Sequence, residues 1–495
     1  MPETPPAPRR ELRVLETLGM SVAMMSPVLS MALFGGAPAV FVGRAAPLAY
    51  VFAGIGVILV AGGIIFLSRY FASAGSLYGL VGASVGPRAG FFTGWALLGP
   101  YLIWTASSSV LAGFFATRFC QDSGIWPEAD YLPFALVCAV LILLLSTRDV
   151  RVLGRVLLSV EGLSVAVMIV VLVIIVSKLA GGFEGRTISH EVFELPQGAT
   201  LQLLVLGSVF GFQAFAGFEG AASLGEETVN PRRNVPRAIA MAVGATVVLY
   251  LFTSSVMAMA FGTTDAQGKA FAESSGPLFD LSMTYVSPAA AMVLELGCVF
   301  SAFSAALGTM SGASRMIYAL ARDARPSSRF ARLGNRGEPV TATLFVFVLA
   351  LVLIIGVRLG GIDGLHVAFY FGSIGGLLLL VAYVMANAAA IRMAIATGGR
   401  ARVVAVTSAL GIGMVLYLIY NTVYPAPKAP YNLFPYIAAA WLSIGLVIVL
   451  ARPDIARRIG AGMTTNAAMQ AAGDATPDDT ARRDHHGDDA TVHQT

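Results

Sequence analysis

The stretch GSVFGFQAFAGFEGAASLGEETVNPRRNVPR, residues 207–237, decides how the rest of the chain is interpreted. Its first half is apolar enough to lie in a bilayer, yet it contains four glycines and a glutamate, Glu219. An acidic side chain at the centre of a membrane helix costs about 3 kcal/mol on insertion scales, so we expect it to have a function. Irregular backbone at that depth is tolerated only where it is buried in protein or lines a wet cavity. The stretch therefore predicts an interrupted transmembrane helix beside a binding site.

An alternative interpretation is that these glycines only allow close helix packing and that Glu219 pairs locally. A second candidate break favours the binding site. It lies in the first apolar segment, residues 14–42, where Ser26 precedes Pro27. Proline removes a backbone donor and disfavours helix at the residue before it, although alone it is also consistent with an ordinary kink. Two interruptions half a chain apart are the pattern of transporters built from inverted repeats.

The composition indicates a polytopic helical membrane protein. Of the 495 residues, 57% are hydrophobic and 12% are charged, whereas soluble globular proteins carry roughly 25% charged residues. Twelve apolar segments are predicted to cross the membrane, at residues 14–42, 48–67, 89–115, 131–145, 156–176, 201–224, 238–261, 288–320, 340–357, 367–391, 403–423 and 433–450. An even number of spans places both ends of the chain on the same face.

The positive charges predict which face this is. Of the 32 Lys and Arg residues, 25 fall on the face that carries both termini and 7 fall on the other face. Because these residues are enriched in cytoplasmic loops, both termini are predicted to be cytoplasmic. The net charge of +4 is attributed to this topology, and no nucleic-acid partner is expected. Residues 452–495 are polar and poor in aromatic side chains, so they are predicted to be a disordered cytoplasmic tail.

Three runs of residues resemble the amino acid permeases of the amino acid-polyamine-organocation (APC) superfamily. FAGFEGAASLGEETVNPRRNVPRAI (215–239) is similar to the sixth transmembrane segment of that family. SRYFASAGSLYGLVGASVGPRAGFFTGWALLGPY (68–101) resembles the second and third segments, and SRMIYALARDARP (314–326) resembles the region after the eighth. The resemblance covers residues 15–455. The chain departs from many members at the first break, where MSPVLS (25–30) replaces a glycine-rich run, and in the turn DARP (323–326).

The resemblance implies an all-α polytopic membrane protein with twelve transmembrane helices and a LeuT-like fold, in which helices 1 and 6 are discontinuous. Residues 1–13 would be a cytoplasmic N-terminal segment and residues 14–451 the transporter domain. Within that domain a 5+5 inverted repeat is expected at about residues 14–180 and 198–393, followed by two extra helices at 402–451. Free backbone N–H groups at the broken helices suit a carboxylate and free carbonyls suit an ammonium group. One amino acid satisfies both.

By position in the family motif, substrate-binding residues are assigned to both breaks. The first break would be lined by Ser26, Pro27 and Ser30, and the second by Phe212, Gln213, Phe215, Ala216 and Gly217. Phe215 resembles the aromatic residue that closes over the substrate. Tyr101, on the third segment, is a further lining candidate, with an interfacial aromatic as the alternative. Glu219 matches a family glutamate just below the site, which we interpret as a link between the sixth helix and its neighbours during gating.

Two further carboxylates are candidates for ion coupling. Glu161 lies inside the fifth span, near where some relatives place a lysine linked to proton coupling and sodium-coupled relatives place a cation. Burial disfavours the charged form of a carboxylate, so Glu161 is predicted to take up a coupling proton, with Glu295 as the second candidate. The alternative is that one or both pair structurally with an arginine or a backbone donor. Sodium is the alternative coupling ion, and no metal site or organic cofactor is expected.

The predicted function is secondary active transport by alternating access across the cell inner membrane, as proton-coupled symport of a neutral amino acid. The alternative is an amine, polyamine or metabolite exchanger without net ion coupling. A membrane enzyme is not expected, because the chain has no HExxH motif, intramembrane histidine pair or serine motif with partners. A receptor would normally add a folded signalling domain, which the polar tail does not supply. The expected partners are a small-molecule substrate and the lipid bilayer, and the oligomeric state is left open.

Overall fold

The computed structural model describes residues 10–71, 75–335, 337–452, 454 and 457–462. Over these residues the chain is helical and contains no strands beyond one isolated bridge between Leu12 and Thr228, which confirms the predicted all-α class. The helices are α1 (Val14–Met25), α2 (Pro27–Phe34), α3 (Ala39–Val42), α4 (Ala46–Ser68), α5 (Leu77–Ser84), α6 (Pro87–Asp122), α7 (Tyr131–Ser146), α8 (Val150–Ala180), α9 (Leu201–Ala214), α10 (Pro231–Phe261), α11 (Asp265–Glu273), α12 (Pro277–Tyr285), α13 (Pro288–Ala324), α14 (Val340–Leu359), α15 (Gly364–Thr397), α16 (Arg402–Val423) and α17 (Phe434–Ala451).

Eleven helical stretches among the described residues are long and apolar enough to cross a membrane. The fourth of the twelve predicted segments corresponds to α7, which is a shorter apolar helix of 16 residues. At 1.5 Å per residue α7 is about 24 Å long, less than the hydrocarbon core of about 30 Å. All twelve predicted segments are therefore helical, but eleven of them have the length of a membrane span.

The first span ends earlier than the sequence predicts. Helices α1 and α2 together cover residues 14–34, and the chain then bends at Gly35 and Gly36 before α3. Pro38 lies directly before α3, where a proline ring cannot continue a preceding helix because it clashes with the carbonyl four residues earlier. Residues 39–42 instead join the next helical stretch, Ala39–Ser68.

The centre of the molecule is formed by its long helices. Helices α6 and α13 have 36 and 37 residues and pack along each other, and α15 packs on α6. Helix α1 packs on α8, α10 and α13. By contrast, α16 and α17 lie at the periphery and are mostly exposed, as is expected of helices that face lipid. The arrangement buries the ends of α1, α2 and α9 inside protein, which irregular backbone at membrane depth requires.

Both ends of the described chain pack against the helices. Near the N-terminus, the backbone amides of Glu11 and Leu12 donate to the carbonyl of Glu227 at 2.9 and 3.0 Å, and the Val229 amide donates to the Leu12 carbonyl at 2.8 Å. Near the C-terminus, residues 457–462 of the predicted tail are helical and Ile459 is fully buried. The rest of the predicted tail, residues 463–495, lies outside the described residues.

Candidate functional site

The first helix break lies at Ser26. Helix α1 ends at Met25 and α2 begins at Pro27, while Ser26 between them has left-handed backbone angles, φ 40° and ψ 68°. The proline accounts for the position, because it disfavours helical conformation at the residue before it. The Ser26 amide closes α1 by donating to the Val22 carbonyl at 2.9 Å, and the Ser30 hydroxyl donates to the Met25 carbonyl at 2.8 Å. The interruption predicted near Pro27 is therefore present.

The second break follows Ala214, the last residue of α9. Three residues separate it from a 3-10 helix, Phe218–Leu224, and Gly217 among them has φ 104° and ψ −2°. Glycine adopts such a conformation without steric cost. A Cβ atom added to Gly217 would also lie 2.8 Å from the backbone carbon of Met24 on α1. Both the conformation and the close approach of α1 thus require glycine here.

We expect Gly217→Ala to lower the thermal unfolding midpoint of the detergent-purified protein. A non-glycine residue in this conformation costs about 1–3 kcal/mol, and the contact with Met24 adds to that cost. The matched control is Gly244→Ala in α10, where an added Cβ meets nothing within 4 Å and alanine favours the helix over glycine. Equal midpoints for the two variants would contradict the requirement.

Side chains from neighbouring helices satisfy backbone groups around the second break. The Ser21 hydroxyl of α1 donates to the Phe218 carbonyl at 2.6 Å and accepts from the Ala221 amide at 2.9 Å. The Tyr250 hydroxyl of α10 donates to the Ala214 carbonyl at 2.9 Å. Because an unpaired buried backbone group costs free energy comparable to a lost hydrogen bond, these contacts stabilise the interruption.

A cavity of about 80 Å³, which we call the central cavity, is bounded by both breaks. Four predicted site residues line it: Ser26, Ser30, Gln213 and Ala216. Its other walls include Trp104, Ser107 and Ser108 of α6, Ala305 and Thr309 of α13, and Gly372 of α15, none of which sequence reasoning identified. Every described residue that lines the central cavity is uncharged. Such a cavity suits a ligand whose charges are met by backbone dipoles and hydroxyl groups.

The other predicted substrate-binding residues do not line the central cavity. Phe215 is buried with its ring 4.8 Å from the ring of Tyr250, measured between centroids. Phe212 is also buried and lines a different cavity, described below. Pro27 begins α2, and Gly217 lies against Met24. The closing of Phe215 over a substrate stays a prediction that concerns another conformation.

Glu219 connects three elements of the fold. Its Oε1 accepts from the Tyr101 hydroxyl of α6 at 2.8 Å, and its Oε2 accepts from the Tyr383 hydroxyl of α15 at 2.6 Å. All three side chains are buried. Tyr101 contacts Glu219 and does not line the central cavity, so its assignment as a substrate-binding residue stays a prediction. The contacts agree with the predicted link between the broken helix and its neighbours, while its part in gating stays a prediction.

Glu161 of α8 is fully buried beside the first break. Its Oε1 accepts from the Ser301 hydroxyl of α13 at 2.8 Å, and the Ser301 oxygen lies 3.3 Å from the Leu29 amide of α2, which donates to it. The Glu161 Oε2 atom makes no hydrogen bond of ordinary geometry among the described residues, although the Val28 backbone and the Ser304 side chain are within hydrogen-bonding reach of the carboxylate. Ion pairs of the described residues do not include Glu161. Two hydrogen bonds through Ser301 therefore connect Glu161 to α2, the helix after the first break. Among the described residues the Glu161 carboxylate has no cationic partner.

Glu295 of α13 has a different environment. Its Oε1 lies 3.3 Å from the Nε atom of Arg118, and the Arg118 guanidinium also lies over the ring of Phe279, 5.3 Å from its centroid. The alternative interpretation of Glu295, a structural pair with an arginine, thus matches its geometry. A role of either carboxylate in ion coupling stays a prediction.

Two broken helices around a small uncharged cavity, inside a multi-pass helical bundle, are typical of membrane transporters. The sequence matches the family model described as "Amino acid permease" over residues 19–457. The chain belongs to this family, which confirms the resemblance found in the sixth segment.

Three curated relatives illustrate the range of the family. The chain is 27% identical to "Cationic amino acid transporter 3, mitochondrial" of Arabidopsis thaliana over 69% of its own length and 57% of the relative. It is 26% identical to a low-affinity putrescine importer of Escherichia coli, over 64% of its own length and 67% of the relative. It is 24% identical to a D-serine/D-alanine/glycine transporter of Escherichia coli, over 53% and 54% of the two chains. The names of these relatives describe transporters of amino acids or of an amine.

Proposed function

We propose that this permease moves a neutral amino acid across the cell inner membrane by proton-coupled symport. The observation that supports this proposal most is the central cavity, which is bounded by two backbone breaks and has uncharged walls among the described residues. Helix ends carry partial charges that suit the carboxylate and the ammonium group of an amino acid. An uncharged side chain then needs no charged partner in the cavity.

The inverted repeat belongs to the same proposal. Residues 14–180 and 198–393 would be the two repeats, with Ser26 and Gly217 marking interruptions in the first span of each. Helices α16 and α17, which are peripheral, would be the extra pair. Both termini would be cytoplasmic, since most Lys and Arg residues lie on their face. Alternating access then follows from movement of the repeats around the fixed cavity.

An amine or polyamine is the second candidate substrate, because one relative is a putrescine importer. A diamine carries two ammonium groups, and desolvating them is costly unless carboxylates pair with them. The described lining of the central cavity has no carboxylate, which favours the neutral amino acid.

A ligand thermostability screen tests the choice between these substrates. Ligands that bind the folded state stabilise it by mass action, by about 2.7 kcal/mol at a ligand concentration of one hundred times Kd, and so raise the unfolding midpoint. We expect neutral amino acids to raise the midpoint of the detergent-purified protein and putrescine to leave it unchanged.

The control is Ser108→Leu, which places an apolar side chain in the wall of the central cavity. Its midpoint is expected to lose the response to amino acids, whereas Gly244→Ala keeps it. A shift with putrescine and none with any amino acid would favour the amine transporter. Flux of the bound compound into proteoliposomes then separates transport from binding.

A further inference from the structure

A second, apolar cavity lies directly behind one wall of the central cavity. It measures about 510 Å³ and is lined mainly by α9, α15, α16 and the start of α17. Leu206, Phe210, Leu377, Leu418 and Phe434 are among its lining residues. Its volume is within the range of about 300–1,000 Å³ found for small-molecule sites, whereas the central cavity is several times smaller. We call it the outer cavity.

The two cavities share four lining residues, Phe34, Gln213, Ala216 and Gly372. Of these, Gln213 has the long polar side chain, and it reaches from α9 to α15. Its Nε2 atom donates to the Gly372 carbonyl at 2.7 Å. The amide of Gln213 therefore forms part of the partition between the outer and the central cavity.

Glycines on α15 make room for this side chain. A Cβ atom added to Gly372 would lie 3.1 Å from Gln213 Nε2, and one added to Gly376 would lie 2.6 Å from Gln213 Oε1. A larger residue at either position would compete with the amide for space. The side chain of Gln213 is thus held by a hydrogen bond and by close packing against the glycines of α15. Gln213 lies one residue before Ala214, where α9 ends.

The volume of the central cavity limits what it can hold. At about 80 Å³ it is well below the range of about 300–1,000 Å³ that is found for small-molecule sites. That is room for a small amino acid and little for a long aliphatic or aromatic side chain. The outer cavity has both the space and the apolar walls for such a side chain, but it is on the far side of Gln213.

We propose that Gln213 is a specificity-determining residue, which restricts the substrate to amino acids with small side chains by closing the outer cavity. The proposal rests on the proposed function, transport of a neutral amino acid. It assigns the outer cavity as a subsite for an aliphatic or aromatic side chain that becomes available when the side chain of Gln213 is shortened. One extra methylene group changes selectivity by about 10–200-fold in a hydrophobic pocket, so the effect should be large.

The test compares alanine and leucine as ligands of the full-length protein in proteoliposomes, by competition with uptake of labelled alanine. Wild-type protein is expected to favour alanine. Gln213→Ala is expected to gain affinity for leucine by about tenfold or more, with a smaller change for alanine. Gln213→Met keeps a side chain of similar length in the wall and is expected to gain little. Gln213→Ser gives the same readout as Gln213→Ala if that variant does not purify.

A double variant locates the new binding. Leu377 lines the outer cavity and not the central one, so Gln213→Ala with Leu377→Trp fills the space that leucine would occupy. This protein is expected to lose the gained leucine affinity and to take up alanine as the single variant Gln213→Ala does. If the double variant kept the gained leucine affinity, the proposal would be overturned. A Gln213→Ala protein that takes up alanine but gains no affinity for leucine would also overturn it.

The wild-type protein separates this proposal from the proposed function. If it takes up leucine as well as alanine, the restriction to small side chains is wrong and the proposed function stands. If it takes up no amino acid, both the proposed function and the restriction by Gln213 are wrong.

Discussion

Glu161→Gln is expected to abolish accumulation of substrate driven by a proton gradient while leaving substrate binding intact. Glutamine has nearly the same shape and keeps an oxygen that can accept from the Ser301 hydroxyl, but it cannot take up a proton. Because Ser301 also accepts from the Leu29 amide, loading of Glu161 would act on α2 and hence on the first break. In proteoliposomes the accumulation ratio of the variant should fall to one, the value for equilibration.

The proposed coupling predicts the direction in which uptake changes with pH. Wild-type uptake is expected to rise as the external pH falls, since more protons then protonate Glu161, whereas the Gln variant should show a flat profile. Glu295→Gln is the control, because Glu295 already pairs with Arg118, and its uptake should still respond to the proton gradient. If uptake by the Glu161→Gln protein kept its full pH dependence, the hypothesis that Glu161 takes up the coupling proton would be wrong. Uptake that follows an imposed sodium gradient instead would identify sodium as the coupling ion.

Arg315→Met is expected to destabilise the protein by about 3–5 kcal/mol, because it leaves the Glu227 carboxylate buried without its cationic partner. The Arg315 Nε and Nη2 atoms donate to the two carboxylate oxygens of Glu227 at 3.0 and 2.9 Å. The two side chains are only 6% and 9% exposed. Arg315 also donates to the Ser311 hydroxyl, so its loss removes several bonds at once.

Thermal unfolding of the purified variants measures this effect. The control is Arg358→Met, whose pair with Asp130 has a similar distance, 3.1 Å, but side chains that are 46% and 45% exposed. An exposed pair contributes about 0–1 kcal/mol, so this midpoint should barely change. Replacing both members, Arg315→Met with Glu227→Leu, should recover much of the loss, because no buried charge is then left unpaired. Similar midpoints for Arg315→Met and Arg358→Met would refute the buried-pair account.

The helices and their interruptions could be predicted because both are encoded locally. Long apolar runs give the spans, and Pro27 and Gly217 mark the breaks wherever the rest of the chain lies. The limits of a span were less predictable. The end of α2 at Phe34 depends on the bend at Gly35 and Gly36, which interrupts a run that is apolar throughout.

The walls of the site were only partly predictable. A motif position fixes which segment a residue lies on but not which way its side chain points once the helix is broken, and Phe215 consequently packs on Tyr250. Trp104 and Thr309 reach the central cavity from α6 and α13, and the packing of those helices sets their register against the breaks. One usable signal was the serine run 107–109 in the middle of an apolar span, since hydroxyl groups at that depth need partners.

Backbone hydrogen bonds join the N-terminal segment to the loop after the second break, so these two parts of the protein are coupled. Glu227 accepts from the Leu12 amide through its backbone and from Arg315 through its side chain. The segment, the loop and α13 consequently meet at one residue. An affinity tag or a fluorophore attached close to Leu12 is therefore expected to disturb hydrogen bonds that also involve α13.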